Sequence, residues 1–393
     1  MPEARPAGEA VRALARWRTR PPADERARIA AAATRILILK PHDQLGDFVL
    51  ITPALRALRA AYPRARIALV TREFLAPLAR RVPDLDQVWS LPRVAGPGAL
   101  LATLAVARGV AGFRPDVAFV MNSVSRSKSA DALAVLSRAR LVVGRSRVFA
   151  GPVPDGAPDD PGSRASSEIS RDPIYDIDVE VGSRSLHQSE RLLDLVRWCA
   201  PPVTLQTRLV LSDAERAAGR ALIEDVLRAV PGEPSAPRVG FHPGAANELK
   251  CWPLESFVEL GLALGAPRAG LSRPRIVVFD SPRERGRAAA VVAGLGARGV
   301  AAGLVPAGAI ESFAAACAAL DLLACNDSGV SHIAGALGAR TVSFHSLGDP
   351  REWAPRSDRS VAFYAPHGIA AIPVAGAAEA ILDLLAEALE GEG

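Results

Sequence analysis

Short apolar runs alternate along this chain with longer segments of helical period. "RILIL" (35–39) has the composition of a buried strand, and the residues after it, from about 47 to 61, repeat apolar positions every three to four residues, as a helix does. "RIALVT" (66–71), "QVWSL" (87–91), "DVAFVM" (116–121) and "LVV" (141–143) predict further strands with helices between them. A helix at 186–200 and a charged one near 212–229 precede a second series, which opens with the strand "RVGF" (238–241). There the pattern predicts helix 253–264, strand 275–279, helices 284–294 and 310–319, strand 322–324, helix 330–337 and strand 341–344, before an amphipathic helix at 375–390. Strands alternating with helices in this way imply parallel sheets covered on both faces. The chain therefore reads as two doubly wound α/β halves in tandem.

Punctuation sets the expected boundaries. Residues 1–34 form an Arg/Ala-rich helical leader broken by "RPP" at Arg20–Pro22, expected to be solvated, with a basic face suited to acidic lipid headgroups. The first domain runs over 35–205 and contains an insertion at 150–170 rich in Pro, Gly, Ser and Asp, which reads as a mobile loop. A linker region follows at 206–237, then the second domain at 238–374 and a C-terminal helix at 375–393. In folds of this type a ligand sits beyond the carboxyl ends of the strands, here expected in the cleft between the halves.

Composition narrows the partners. At 393 residues, 49% hydrophobic and 23% charged, the chain is an ordinary globular protein, long enough for two cores. No 18-residue apolar run lacks a charge or a proline, so no membrane span is expected. The opening "MPEARPAGEA" has no apolar signal core, and a cytoplasmic location is expected. The four cysteines lack CxxC spacing and indicate neither zinc nor a disulfide framework. A net charge of +5 suits anionic partners, while 5% aromatics without basic–aromatic interleaving argue against nucleic acid. Only Lys40, Lys128 and Lys250 are lysines among 47 basic residues, so each either marks a place where a compact point charge is wanted or stands there by chance.

Three stretches lie at predicted strand ends. "HDQLGDFVL" (42–50) carries one glycine, Gly46, and an acid, Asp47, where a dinucleotide-binding turn would carry several glycines. Asp47 suits a helix N-cap, and that role is compatible with catalysis. "FHPGAANELKCWP" (241–253) places small residues after a strand and then Lys250, a combination that can hold a diphosphate. "CNDSGVSHIAGALGARTVSFH" (325–345) makes a strand-to-helix turn of Asp327, Ser328 and Gly329 with His332 one turn into the helix. A carboxylate there accepts from ribose or base, and the turn's N–H groups receive phosphate oxygens. "NSVSRSK" (122–128) and "GRSR" (144–147) add Arg126, Lys128 and Arg145 as candidates for acceptor phosphates.

In this order and spacing the blocks "LGDFVLITPALRALRAAYPRARIALV", "HPGAANELKCWPLESFVELGLAL" and "NDSGVSHIAGALGARTV" with "GDPREWAP" resemble glycosyltransferase family 9, the family of the ADP-heptose:lipopolysaccharide heptosyltransferases. The resemblance spans most of 35–360. It implies a GT-B fold of two Rossmann-like domains, the first binding acceptor and the second nucleotide sugar. It further implies inverting heptose transfer from ADP-heptose to a lipopolysaccharide-core or other saccharide acceptor, lipid-linked or free, without metal or cofactor. Asp47 would be the general base and Lys250 the diphosphate contact. Asp327, Ser328, Gly329 and His332 would grip the donor, and Glu284 the ribose or base. On the acceptor side Gly46 would leave room beside Asp47, with Arg126, Lys128 and Arg145 near the acceptor. Peripheral contact with the inner membrane belongs to the same picture.

The chain departs from the family's pattern in "DSPRER" after strand 275–279, in "FHSLGDP" (344–350) with His345 and Ser346, and in the insertion. "DLD" (84–86) and "DID" (176–178) match a metal-binding tripeptide of another glycosyltransferase fold and are read as solvated carboxylates. A nicotinamide dehydrogenase lacks its GxGxxG here, and a serine hydrolase lacks its nucleophile elbow at "FHSLG". A nucleotide-sugar epimerase and a non-catalytic nucleotide-sugar binder are the remaining alternatives.

Overall fold

The computed structural model describes residues 6–42, 44–93, 96–146, 172–179, 186–283 and 286–390. Glu284, Asp43 and the insertion 150–170 lie outside the described residues. Two compact units divide the chain, Met1–Leu205 and Gln206–Gly393.

The first unit holds strands β1 (Arg35–Leu39), β2 (Arg66–Arg72), β3 (Gln87–Leu91), β4 (Val117–Val120), β5 (Leu141–Gly144) and β6 (Ile177–Asp178). The second holds β7 (Arg238–His242), β8 (Arg275–Phe279), β9 (Ala302–Val305), β10 (Leu322–Asn326), β11 (Arg340–His345) and β12 (Ser360–Tyr364). Both sheets are parallel and follow one plan, β3-β2-β1-β4-β5-β6 and β9-β8-β7-β10-β11-β12. In each, the chain starts at the centre, builds two strands outward, then returns to build the other side. The strand order thus reverses between β1 and β4 and between β7 and β10.

Both faces are buried, which is why the strands read as unbroken apolar runs. In the second unit Ile276 and Val278 face one core with Trp252, Phe257, Leu295, Phe344 and Ile381. Val277 and Phe279 face the other, with Ile223, Leu227 and Leu323. The sequence pattern does not predict β6, β9 and β12. All three are edge strands, supported from one side only and lined by mixed residues such as Gly303 and Ser360.

Several expectations need correction. The leader is docked rather than solvated: Val11 and Ala15 pack into the first unit's core, and Ile29 and Ala30 are buried. Arg18 pins it by donating to the carbonyls of Ile174 (2.9 Å) and Ala139 (3.2 Å) and to Asp176 (2.9 Å). The region 206–237 contains helix Asp213–Leu227, which packs inside the second unit. A Cβ on Gly219 would fall 1.9 Å from the carbonyl oxygen of Ala315, so only glycine permits this helix to lie against Ile310–Cys317.

The two acidic tripeptides are bonded rather than solvated. Asp86 accepts from the N–H of Ile67 (2.7 Å) and from Arg59 (2.6 Å). Asp176 accepts from the N–H of Val142 (2.7 Å) and Asp178 from that of Ser146 (2.8 Å). These carboxylates tie strand ends together.

The helix expected over 47–61 is two, Leu45–Val49 and Thr52–Ala61. Pro53 has no N–H to offer the carbonyl of Val49, four residues back, and the Thr52 hydroxyl fills that place at 2.8 Å. Asp47 is not the N-cap. Gln44 holds that position, and Asp47 is the third helical residue, with Gly46 before it in ordinary helical backbone.

Candidate active site

Each unit places predicted residues at its own switch point, at the carboxyl ends of the two strands where order reverses. This is where open α/β sheets bind ligands.

In the first unit, β1 runs into Lys40, which is buried, and Lys40 Nζ donates to Ser123 Oγ (3.3 Å) just past β4. The Asp47 carboxylate lies 4.0 Å from Lys40 Nζ and is only 3% exposed. It opens on a pocket of about 250 Å³ lined also by Pro41, His42, Gln44, Ser125, Arg126 and Ser127. Burial drives the Lys40 ammonium pKa down and Asp47 opposes that shift, so the pair is mutually dependent. His42 Nε2 faces the carbonyl of Ser125 at 3.2 Å and therefore carries the proton, leaving Nδ1 unpartnered. Burial, then the Lys40 charge, lower this imidazole to about 4, so it is neutral near pH 7.

Arg126 is fixed before any ligand arrives. Its Nε donates to Asp131 (2.6 Å), its Nη1 to Asp172 (2.6 Å), and its guanidinium lies 5.2 Å from the centre of the Tyr175 ring. Tyr175 completes the cluster by donating to the other oxygen of Asp131 (2.6 Å). Arg126 Nη2 is buried without a partner. Asp47 and Arg126 thus share one pocket. Lys128 begins the next helix and is exposed, immediately after pocket-lining Ser127. Arg145 is not brought to the pocket; it is 1% exposed and donates to the carbonyls of Val179 (3.2 Å) and Arg191 (3.0 Å).

In the second unit, Lys250 closes a short 3₁₀ turn, Glu248–Lys250, capped by Asn247. Its Nζ donates to Asp327 Oδ2 at 2.7 Å. Asp327 and Ser328 bridge β10 to helix Gly329–Ala336, with Ser328 as N-cap. The Ser328 hydroxyl makes no capping bond and is buried without a partner, as is Nδ1 of His332. His345 Nδ1 lies 3.8 Å from Asp327 Oδ1, while Nε2 meets the Ser343 hydroxyl at 2.8 Å. Burial lowers both imidazoles, His332 to about 4, so Lys250 is the cation that faces Asp327 at neutral pH.

Asn326, which the sequence reading passed over, holds these loops together. Its Oδ1 accepts from the N–H of Trp252 (2.9 Å), and its Nδ2 donates to the carbonyls of Pro243 (2.9 Å) and Gly244 (3.4 Å). One buried amide therefore joins the loop after β7, the Lys250 loop and the end of β10. Ser346 adds a tie to the carbonyl of Leu249 (3.0 Å), and Trp252 stacks on Phe344 with centroids 4.2 Å apart. The one signal in the sequence was position: an amide next to Asp-Ser-Gly, able both to donate and to accept. Lys40 and His345 stand out in the sequence, but their carboxylate partners, 7 and 18 residues away, do not.

The buried imidazoles carry a pH prediction. His332 folds neutral, whereas in the unfolded chain it takes up a proton near its ordinary 6.5. Between 6.5 and about 4 the unfolded state thus binds more protons, so stability is full above that window and falls as pH drops through it. His42 acts in the same sense. Urea unfolding from pH 7.5 to 4 checks this, and His332→Asn should flatten the slope. A slope unchanged by the substitution contradicts it.

The family model for glycosyltransferase family 9 (heptosyltransferase) matches residues 176–371. No curated protein matches. Among solved structures, a family 9 glycosyltransferase from Veillonella parvula is 17% identical with a TM-score of 0.71, covering 90% of this chain and 97% of that one. The E. coli heptosyltransferase WaaC, solved with ADP, is 19% identical with a TM-score of 0.65, covering 89% and 99%. E. coli ADP-heptose lps heptosyltransferase II is 18% identical with a TM-score of 0.62, covering 91% and 100%. These are likenesses of fold.

Proposed function

From a chain whose residues 176–371 form a glycosyltransferase family 9 domain, a glycosyltransferase of the GT-B fold, we propose inverting transfer of a heptose or related sugar from an ADP-sugar to a saccharide of the lipopolysaccharide-core type. Lys250 meets the donor diphosphate. Asp327, Ser328, the N–H of Gly329 and His332 hold the rest of the nucleotide sugar, and Asp47 takes the proton from the acceptor hydroxyl. As that oxygen attacks the anomeric carbon, the diphosphate departs on the opposite side, and configuration inverts. Lys250 and the start of helix Gly329–Ala336 meet the charge that develops on the leaving group.

The observation that carries this reading is the Lys250–Asp327 contact at 2.7 Å beside an unpartnered Ser328 hydroxyl and a helix N-terminus. A cation, a hydroxyl and the N-terminal N–H groups of a helix are the groups that bind a diphosphate. The choice of ADP draws on the WaaC neighbour solved with it.

A thermal-shift panel of ADP-, GDP-, UDP- and dTDP-sugars tests the donor. At about 100 times its Kd the right donor adds about 2.7 kcal/mol of stability, which shifts Tm visibly. The ADP-sugar is expected to give the largest shift. A response to UDP- or GDP-sugars without one to ADP would overturn the donor assignment and leave the fold intact.

A further inference from the structure

We infer that His345 is a positioning residue of the donor site, which takes a proton and becomes the partner of Asp327 when a donor diphosphate draws Lys250 away. The assignment rests on the donor site proposed above and adds a residue to it. His345 belongs to "FHSLGDP", where the chain departs from the family's pattern, so the device is this chain's own.

Asp327 sets the need. Its side chain is 7% exposed, and its two oxygens face different groups, Oδ2 the Lys250 ammonium at 2.7 Å and Oδ1 the His345 Nδ1 at 3.8 Å. The loop after His345 presses on this carboxylate, since a Cβ on Gly348 would lie 2.7 Å from Oδ2. A charge so enclosed is costly without a partner. Of the two partners only one is free to leave. The Lys250 side chain is 31% exposed at the end of a short turn, whereas that of His345, the last residue of β11, is wholly buried. A diphosphate that engages the ammonium therefore leaves Asp327 facing an imidazole that stays in place.

That imidazole is equipped to become charged. Its Nε2 meets the Ser343 hydroxyl at 2.8 Å, and a hydroxyl can donate to a bare nitrogen or accept from a protonated one. Nδ1, buried without a hydrogen-bond partner, faces Asp327. In the ligand-free protein burial is the foremost effect and holds His345 below its ordinary pKa; Asp327 opposes it, Lys250 adds to it, and Asp349 and the Gly348 backbone oppose it. Asp349 is itself bonded to Arg351. Beside Asp327, His332 is neutral, and the Cys325 thiol is raised and stays protonated. Lys250 is thus the side chain whose charge keeps the proton off His345. An anionic diphosphate offsets that charge, and solvent supplies the proton. Binding that takes up a proton strengthens as pH falls.

ADP-glucose is titrated calorimetrically into the full chain, wild type and His345→Gln, in buffers of unlike ionisation enthalpy from pH 5.5 to 7.5. Its diphosphate, esterified at both ends, exchanges no proton in that range. Wild type is expected to take up a fraction of a proton and to bind about fivefold more tightly at pH 6 than at pH 7.5. His345→Gln, whose amide can still meet Ser343, should bind without uptake and with a flat profile. Melts of ligand-free Lys250→Ala give a second reading. With Asp327 left to His345, the folded variant binds a proton that folded wild type refuses, so its Tm deficit against wild type should shrink from pH 7.5 to 5.5. The deficit of the double variant against His345→Gln should not change. Binding without uptake in wild type, or a Lys250→Ala deficit indifferent to pH, overturns the inference and leaves the donor reading standing. Those two measurements decide the matter even where the His345 variant fails to fold. Uptake that survives in His345→Gln also overturns it, by placing the proton on His332. No binding of ADP-glucose or of ADP itself overturns the donor reading and this inference with it.

Discussion

Replacing Asp47 with Asn is expected to lower turnover by about 10²–10⁴-fold while leaving donor affinity nearly unchanged. The substitution keeps the side chain's shape and removes the atom that accepts the acceptor's proton. Asp47 is the third residue of its helix and makes no cap there, so capping is not what the change removes. It does strip the buried Lys40 of its carboxylate, leaving that ammonium with Ser123. Burial already lowers the Lys40 pKa, and without Asp47 the pKa falls further. The unfolded chain then binds the extra proton, so the variant's Tm deficit should shrink as pH rises. The turnover deficit should not shrink with it. Lys40→Met removes the cation and keeps the carboxylate, and it separates the two effects by retaining more turnover than Asp47→Asn. Near-normal turnover in Asp47→Asn would move the base elsewhere, with His42 and its unpartnered Nδ1 in the same pocket the next to test.

Lys250→Ala is expected to weaken ADP and ADP-sugar binding by about 10- to 150-fold, the worth of a hydrogen bond to a charged group. In the ligand-free protein Lys250 is already held by Asp327 at 2.7 Å. Donor binding therefore exchanges a carboxylate for a diphosphate, and the measured loss should fall toward the lower end of that range. Removing Lys250 also leaves Asp327 without its nearest cation beside two neutral imidazoles, so some loss of Tm is expected as well. Lys250→Arg should rescue poorly, because a planar fork does not replace a compact ammonium at the end of a tight turn. Calorimetric titration with ADP decides the matter. Equal affinity in wild type and Lys250→Ala would place the diphosphate elsewhere.

Much of this site was legible in linear order. Asp47, Lys250 and Asp327 each follow a strand whose apolar run is plain, and parallel sheets bind at such ends. Their partners were not legible. Nothing in "RILILK" indicates that Lys40 turns inward to Asp47 and Ser123, since a lysine after a strand is ordinarily solvated. Arg145 shows the reverse failure: its basic neighbourhood suggested a ligand contact, yet the chain buries it against two carbonyls. The Arg/Ala leader has the composition of a solvated helix, and only Arg18 reaching three distant oxygens reveals that it is docked.

Sequence by itself determined the two-fold α/β plan, because a parallel strand buried on both faces must be apolar throughout and that signal is local. It determined the candidate residues at strand ends for the same reason. The edge strands β6, β9 and β12, the pairing of Lys40 with Asp47, the lock of Lys250 on Asp327 and the keystone role of Asn326 were decided by tertiary structure alone. The ties from Lys40 to Ser123, from Lys250 to Asp327 and through Asn326 depend on which strands lie side by side, and β1 meets β4, as β7 meets β10, only because the strand order reverses between them. A side chain's charge and hydrogen-bonding capacity are written in its own residue, but the groups that satisfy them after burial are supplied by neighbours some 80 residues away, as Lys40 with Ser123 and Lys250 with Asp327 illustrate.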